Sequence, residues 1–559
     1  MRAFPALFVV LLCGCATTTE LTPVESGPAP EAIEQDYYHV DIPTHDGETL
    51  RATVYQPELE AGQTAPVIIA SHGYGGMRAA RPLSFYGQAM ITGQAALEAW
   101  REGYWVIFYN QRGFGGSSDS VNMMDPEKEV RDPSTILDWA LEHLPGIASL
   151  PDGNPAVGMV GESYSGGSQI LASFEDERLG ALVPIATWHD LPESLAPNGH
   201  VRTYWGGVLA TVPAFTSRLR NLNNVFGHPY RGMFTGTMPD EAQRLLYQRS
   251  PAAHCARGEH PQADALLIQG FRDTIMPMDQ ALANRDCFDE GGRDARLMAI
   301  QGGHILPWPL QRWSGKPLFN TDSTITCGDE EYPVEELIVH WWDEKLRGEP
   351  RRLPDVCLAL DYDNSTAMEE FPDPAERFRI PRTRVHIPIA GLFEAFMVPA
   401  DRIGDIFRGL WPGEDLRFKE PQGGFGRPKF IPLHIVRGDD EVLLGTPRID
   451  MELGGTASRR STRVFLGVGV QHRNKRRVEI ASEQITPLPA RGRYEQELAP
   501  VSRKLEPGDR VGLVIYGYNW QYFTNPSYWW SRAILQGDIE LPLDTMDLDK
   551  REGSLKQTR

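Results

Sequence analysis

Val157-Gly158-Met159-Val160-Gly161-Glu162-Ser163-Tyr164-Ser165-Gly166-Gly167 is the stretch on which the reading of this chain turns. An apolar run ends at a glycine, a serine follows two residues on, and Gln169-Ile170-Leu171-Ala172 continues with helix-forming character. The pattern predicts a strand, a sharp turn and a helix, with Ser163 at the tip of the turn. A nucleophile elbow has this form. Its serine occupies a strained backbone conformation, and the residues around it are small so that strand and helix can approach. Gly161, Ser165 and Gly166 meet that need, although Ser165 stands where the strict G-x-S-x-G pattern has its last glycine. An ordinary glycine-rich turn in any parallel α/β protein reads the same way, so the surrounding chain has to decide.

On either side of this stretch, buried-strand and helix patterns alternate. Residues 37–57 read as a hairpin with Asp46-Gly47 in the turn. Pro66-Val67-Ile68-Ile69-Ala70 and Tyr104-Trp105-Val106-Ile107-Phe108-Tyr109 are continuous apolar runs of the kind found in buried parallel strands. Residues 88–102 and 130–143 have helical spacing, the second through Ile136, Leu137, Ala140, Leu141 and Leu144. Beyond the elbow, runs beginning at Ala181, Ala265 and Ala295 add three strands, and residues 335–347 read as a helix. Between Trp188 and Pro261 the alternation stops, and this segment, which carries Trp205, Phe215, Phe226 and Phe234, is expected to form an inserted, mostly helical cap.

The pattern changes near Asp355. Val385, Ile387 and Ile389 alternate, and so do Ile449, Met451 and Leu453, then Val464, Leu466, Val468 and Val470, then Val511, Leu513 and Ile515. Short alternating strands separated by turn signals predict a β-sandwich or jelly roll. The expected architecture is an α/β-hydrolase domain over 37–354, with a mainly parallel sheet, helices on both faces and a cap insertion at 189–261. An all-β jelly-roll sandwich over 355–545 and a charged, disordered tail over 546–559 would follow it.

Composition bounds the function. At 559 residues the chain is too long for one core. It is 41% apolar and 23% charged, as in ordinary globular proteins, and its net charge is −20. So acidic a surface repels phosphate backbones, which argues against a nucleic-acid partner. Arg2 precedes an apolar segment, Ala3 to Leu12, that is too short to span a bilayer and ends in Leu12-Cys13-Gly14-Cys15. This resembles a bacterial lipobox. It implies a signal peptide over 1–14, lipid on Cys15, a polar tether over 15–36 and, because Ala16 follows the cysteine, an outer-membrane destination in a Gram-negative cell. A plain secretory signal cleaved near Ala16 is the alternative. Cys255, Cys287, Cys327 and Cys357 suggest two disulfides in an exported protein, with all three pairings open. No C-x-x-C or close Cys/His cluster points to a structural metal.

A serine hydroxyl needs a base, the base needs a carboxylate to orient it, and the oxyanion needs donors. In an α/β-hydrolase the order along the chain is serine, acid, histidine, each beyond the carboxyl end of a strand. Asp273 in Gly270-Phe271-Arg272-Asp273 and His304 in Gln301-Gly302-Gly303-His304 meet both conditions. Read alone, Asp273 would be a helix-capping turn residue and His304 an ordinary loop histidine. Asp279 is expected to be helical already, Asp264 precedes its strand, His254 and His260 come too early, and His340 falls mid-helix. Acyl transfer by this trio calls for no cofactor or metal.

With these residues in place, the chain resembles the cocaine-esterase and X-prolyl dipeptidyl aminopeptidase family of serine hydrolases, the CocE/NonD-like acyl hydrolases. The family elbow G-x-S-Y-x-G is matched by Gly161-Glu162-Ser163-Tyr164-Ser165-Gly166. Arg112-Gly113-x-Gly115-x-Ser117, Ser250-Pro251 and Trp341-Trp342-Asp343-x-Lys345-Leu346-x-Gly348 also resemble family segments, and so do Tyr522-x-x-Asn525-Pro526 and Gly537-Asp538-Ile539-Glu540-Leu541-Pro542 near the end. The resemblance implies an oxyanion hole made by the Tyr74 hydroxyl and the Tyr164 amide. His72-Gly73-Tyr74-Gly75-Gly76 equally resembles a lipase HG-x-G loop, in which a backbone amide would donate instead; His72 is then structural. The expected substrate is a small acyl ester, an amide or a short peptide.

Two questions stay open at this level. An X-Pro dipeptidyl peptidase would share the same machinery but must also hold a free α-amino group, for which Glu162, Asp190, Glu193 and Asp240 are acidic candidates. A non-catalytic surface lipoprotein could instead use Trp520, Tyr522, Tyr528, Trp529 and Trp530 to stack on sugars, although such clusters are more often packing.

Overall fold

The computed structural model describes residues 31–219, 232, 235–304, 324–327, 330–361, 364–374, 376–387, 429–456, 462–475, 478–517, 519, 521–522, 525 and 531–546. Cys15, the signal segment and most of the tether lie outside the described residues, as do Phe226 and Phe234 of the cap, Ile389, Trp520, Pro526, Tyr528, Trp529, Trp530 and the tail beyond 546.

The N-terminal domain is built on a ten-stranded sheet. Its first half runs β1 (Asp36–Pro43), β2 (Thr49–Gln56), β3 (Val67–Ser71), α1 (Phe85–Ala89), α2 (Ile91–Arg101), β4 (Trp105–Tyr109), α3 (Asp132–His143), β5 (Val157–Glu162), α4 (Tyr164–Ala172) and β6 (Ala181–Ile185). The cap follows as α5 (Leu191–Leu195), α6 (Thr203–Thr216), α7 (Asp240–Gln248) and α8 (Pro251–Cys255). Then come β7 (Asp264–Gly270), α9 (Met278–Glu290), β8 (Ala295–Ile300), β9 (Thr324–Cys327), β10 (Glu330–Pro333), α10 (Val334–Arg347), β11 (Val356–Ala359) and β12 (Ser365–Met368).

Strands lie in the order β1-β2-β4-β3-β5-β6-β7-β8-β11-β12. The centre is parallel throughout, and the β1–β2 and β2–β4 pairs at one edge are antiparallel. Every residue of β3, β4, β5, β6 and β8 is buried, which is why these strands read as unbroken apolar runs rather than alternating ones. Both faces are covered. Val67 and Ile69 pack in a core with residues of α3, α4 and α9, while Ile68 and Ala70 pack with residues of α2 and α10. The period of two in the strand thus separates two cores, one on each side of the sheet.

Two expectations are corrected. The single helix over 88–102 is two helices meeting at Met90, which takes an extended conformation (φ −115°, ψ 141°). A Cβ at Gly93 would come within 2.1 Å of the Tyr86 carbonyl, so the second helix starts against the first only because Gly93 has no side chain. The boundary at 354/355 also moves. β11 adds to β8 in parallel and β12 pairs back on β11, so residues 356–368 extend the hydrolase sheet. A four-residue hairpin strand carries the same alternation whether it joins a sandwich or a sheet edge, and the sequence pattern does not separate the two.

The C-terminal domain is antiparallel. One sheet takes the order 376–386, 532–541, 448–455, 492–497; a second takes 429–435, 510–516, 463–471, 479–480, with 486–489 also pairing on 463–471; a third takes 501–504, 441–445, 543–545. Val464, Leu466, Val468 and Val470 face the same core as Ile449, Met451 and Leu453, so the alternation seen in the sequence is the inward face of two opposed sheets. Disulfides join Cys255 to Cys287 and Cys327 to Cys357. Tyr522 is fully buried against the cap: its ring lies 5.4 Å from that of His200, and the Arg202 guanidinium sits over it. For Tyr522 the packing role replaces sugar stacking; the other four aromatic residues of that cluster lie outside the described residues.

Candidate active site

β5 delivers Ser163 between two neighbours in the middle of the sheet, β3 and β6. Ser163 has φ 51° and ψ −110°, a sparsely populated conformation for any residue with a side chain. Its surroundings hold it there. The Ser163 amide donates to the Ile185 carbonyl (2.7 Å), and the Ser163 carbonyl accepts from the Gly167 amide (3.0 Å) and the Thr187 hydroxyl (2.8 Å). A Cβ at Gly161 would lie 2.0 Å from Ser165 Oγ, so this glycine is required by the close approach of α4 to β5.

β7 and β8 bring the other two predicted residues to the same edge. His304 Nε2 lies 2.9 Å from Ser163 Oγ, and His304 Nδ1 lies 2.8 Å from Asp273 Oδ2. Asp273 is fully buried. Its other oxygen accepts the amides of Ile275 (2.9 Å) and Met276 (2.8 Å), and Gln269 Nε2 donates both to Oδ2 (3.2 Å) and to the Met276 carbonyl (2.7 Å). The two loops are stitched together: the Phe271 amide donates to Ile300 and the Arg272 amide to Gly302. A Cβ at Gly270 would collide with the Gly302 carbonyl at 2.2 Å. Trp205 of the cap sets its ring edge-on to His304, with centroids 5.4 Å apart, and donates from Nε1 to the Thr274 hydroxyl. The cap therefore roofs the histidine.

The loop after β3 faces Ser163 from the other side. A Cβ at Gly73 would stand 3.5 Å from Ser163 Cβ and 3.2 Å from Glu162 Cγ. The Gly73 amide donates to the Tyr86 hydroxyl (3.2 Å), which in turn hydrogen-bonds to Glu162. Burial pushes the Glu162 carboxyl up to about 6, against the pull of its hydrogen bond from Tyr86. Glu162 is thus a bridge between the elbow and the Gly73 loop rather than a group facing substrate. Tyr74 packs edge-on between Tyr164 (5.4 Å) and Phe114 (5.5 Å). His72 is buried and spans Gly73 O and the Gln111 amide, which matches its expected structural role.

The remaining sequence candidates lie where the pattern put them, with one adjustment. His254 pairs with Glu259, His260 with the Cys287 carbonyl, and His340 lies in α10 beside Arg352. Asp279 is in the first turn of α9. Asp264 is the first residue of β7 rather than a residue ahead of it. Asp190 caps α5 by accepting the Glu193 amide, and Asp240 begins α7. Among the described residues, His472, Glu506 and Asp509 could gather donor atoms within 4.8 Å of one another. Two of its members belong to an ion network: His472 pairs with Asp509 and Glu479, and Arg503 binds both His472 and Glu479.

Sequence reading missed two supports. Arg112 of the R-G-x-G-x-S segment is completely buried and grips Asp132 (2.8–3.0 Å) and Asp46 (2.6 and 3.0 Å). It ties the loop after β4 to α3 and to the β1–β2 turn. Glu129 is buried beneath Tyr164, accepts the Asn122 and Asp125 amides, and is pushed up to about 7 by burial. An arginine followed by glycines was a signal for the first. Nothing in the sequence singles out Glu129.

The model of the X-Pro dipeptidyl-peptidase (S15 family) matches residues 46–305, a span that holds all of Ser163, Asp273 and His304. Residues 46–305 form the serine-hydrolase domain that matches the S15 family. Such an enzyme acts on esters or peptides. No curated protein matches the chain. Solved structures align along nearly its whole length. An α-amino acid ester hydrolase shares 14% identity at a TM-score of 0.60, over 96% of this chain and 100% of its own. An aminopeptidase from a marine sediment archaeon, Thaumarchaeota archaeon, shares 13% at 0.57, over 91% and 96%. A CocE/NonD family hydrolase from Staphylococcus aureus shares 11% at 0.56, over 91% and 97%. At such identities the likeness is one of fold, and it extends across both domains of the chain.

Proposed function

We propose that this hydrolase cleaves acyl ester or amide bonds through an acyl-enzyme formed on Ser163. The observation that carries this is the hydrogen-bonded chain from Ser163 Oγ through His304 to Asp273. His304 Nε2 takes the hydroxyl proton as Ser163 attacks the carbonyl and returns it to the leaving group; water then repeats the cycle on the acyl-enzyme. Asp273, already accepting two amides on its far oxygen, is pinned as an acceptor and orients the imidazole. The Tyr164 amide at the start of α4 would donate to the oxyanion. For the second donor, the engagement of the Gly73 amide with Tyr86 supports the Tyr74 hydroxyl over that amide. Ser163→Ala should abolish turnover of a short aryl ester and labelling by a fluorophosphonate; retained turnover in a folded Ser163→Ala protein would sink the assignment.

A second reading is an X-Pro dipeptidyl peptidase, favoured by the family model matched over residues 46–305. It requires an anchor for a free α-amino group. Three substrates separate the readings: an X-Pro anilide, the same anilide with its amine blocked, and a short aryl ester. A strong preference for the free amine supports the peptidase; equal cleavage of the ester and the blocked anilide supports the broader acyl hydrolase.

We further propose an exported enzyme, lipid-anchored at Cys15 in the outer membrane. Support comes from Leu12-Cys13-Gly14-Cys15 and from two disulfides, which persist in oxidising compartments. Labelling cells with a fatty-acid probe tests it: wild type should carry the label and Cys15→Ser should not.

A further inference from the structure

The loop that carries Asp273 is gripped from the second domain. Between the strands at 479–480 and 486–489, the jelly roll makes a tight turn in which Ser482 (φ 51°) and Glu483 (φ 58°) both take left-handed backbone conformations. Two successive non-glycine residues in that region are strained. The turn is anchored at its base, where the Ser482 hydroxyl accepts the Ser502 amide (2.9 Å) and the Ser502 hydroxyl donates to the Ala359 carbonyl. What it presents is Gln484, only 3% exposed. Gln484 Nε2 donates to the Phe271 carbonyl (2.8 Å) and to the Asp273 carbonyl (2.9 Å), while its buried Oε1 has no hydrogen-bond partner among the described residues. The amide orientation is unambiguous, because the flipped form would set an oxygen against two carbonyl oxygens.

We infer that Gln484 is a positioning residue: the jelly roll sets the place of Asp273, and through it the orientation of His304, by holding the two carbonyls that flank Arg272. An orphaned buried Oε1 costs stability, and a strained turn adds to that cost. Both are tolerated where one side chain fixes the acid loop from outside its own domain. The inference rests on the assignment of Asp273 and His304 under the proposed function.

The test uses the full-length enzyme and two near-isosteric substitutions. Gln484→Met removes both donors; Gln484→Glu turns an acceptor toward two carbonyls. kcat is expressed per serine titrated with a fluorophosphonate, with Tm measured alongside. For Gln484→Met, kcat and the rate of serine labelling should fall together roughly 10- to 100-fold, with KM little changed, as expected for a displaced catalytic group. For Gln484→Glu the loss should be larger at neutral pH and should shrink relative to wild type as pH falls, because a protonated carboxyl can donate to one of the carbonyls. A role confined to joining the domains predicts a lower Tm with wild-type kcat per titrated serine and no such pH recovery, and that result overturns the inference. If Gln484→Glu does not fold, Gln484→Met and its labelling rate decide. Activity surviving in Ser163→Ala would instead refute the active-site assignment, independently of Gln484.

Discussion

Ser163 and Asp273 leave the same edge of one sheet, with a single strand between theirs. They are held in contrasting ways. Around Ser163 every restraint comes from nearby in the hydrolase domain: Gly161 and Gly167 on its own motif, Ile185 and Thr187 on the neighbouring strand end. Around Asp273 the carboxylate is fixed locally by Gln269, Ile275 and Met276, but the backbone, stitched to the neighbouring loop by the Phe271 and Arg272 amides, is also held by Gln484, 211 residues away in the other domain. The placing of Ser163 is therefore a property of the hydrolase domain, whereas the placing of Asp273 also draws on the second domain. A family that varies its second domain could tune the acid without disturbing the elbow.

This contrast can be broken at several points. The largest effect should come from Ser163→Ala, with kcat for a short ester falling on the order of 10⁶-fold while the circular dichroism spectrum and Tm stay near wild type. Asp273→Asn should follow at roughly 10⁴-fold, because an amide in that place favours the wrong imidazole tautomer; a loss below tenfold would mean that Asp273 does not orient His304. Asp132→Asn addresses the scaffold rather than the chemistry. It leaves the buried Arg112 with one fewer anionic partner, and a chemical-denaturation experiment should show a loss of about 3–5 kcal/mol. If that variant also unfolds the jelly roll in the same transition, the two domains are one cooperative unit and the contrast drawn above is weaker.

The smallest effect concerns pH. Burial raises Glu162 from 4.5 to about 6, so the folded state holds its proton more tightly than the unfolded chain does. The stability contributed by this group is complete below pH 4.5 and is lost as pH rises through about 6. In Glu162→Gln, Tm should therefore fall less than in wild type between those two pH values; parallel Tm curves would show that Glu162 is not the titrating group.

How much of this was legible in the sequence depended on how local the constraint was. The places of Ser163, Asp273 and His304 beyond strand ends could be read because a buried parallel strand announces itself as an apolar run. The cap and the sandwich were legible as a loss and then a change of periodicity. The break at Met90 was not, because it depends on the contact of Gly93 with Tyr86 across the turn. The two strands at 356–368 were assigned to the wrong domain because alternation reports a half-buried strand without saying which sheet it joins. Gln484 was invisible for a more basic reason: a glutamine at the end of a short 3₁₀ turn carries no pattern, and its meaning comes only from which two carbonyls the fold brings to it.

The Cys255–Cys287 bridge gives Asp273 one more property. These two residues stand 32 apart in sequence, and the chain between them contains β7 and Asp273. Asp273 thus sits inside a covalent ring. A protease that cuts anywhere between the two cysteines linearises the ring without releasing a piece, so on a gel the nicked enzyme would run as one chain until a thiol is added. Damage beside Asp273 would leave the molecule covalently whole.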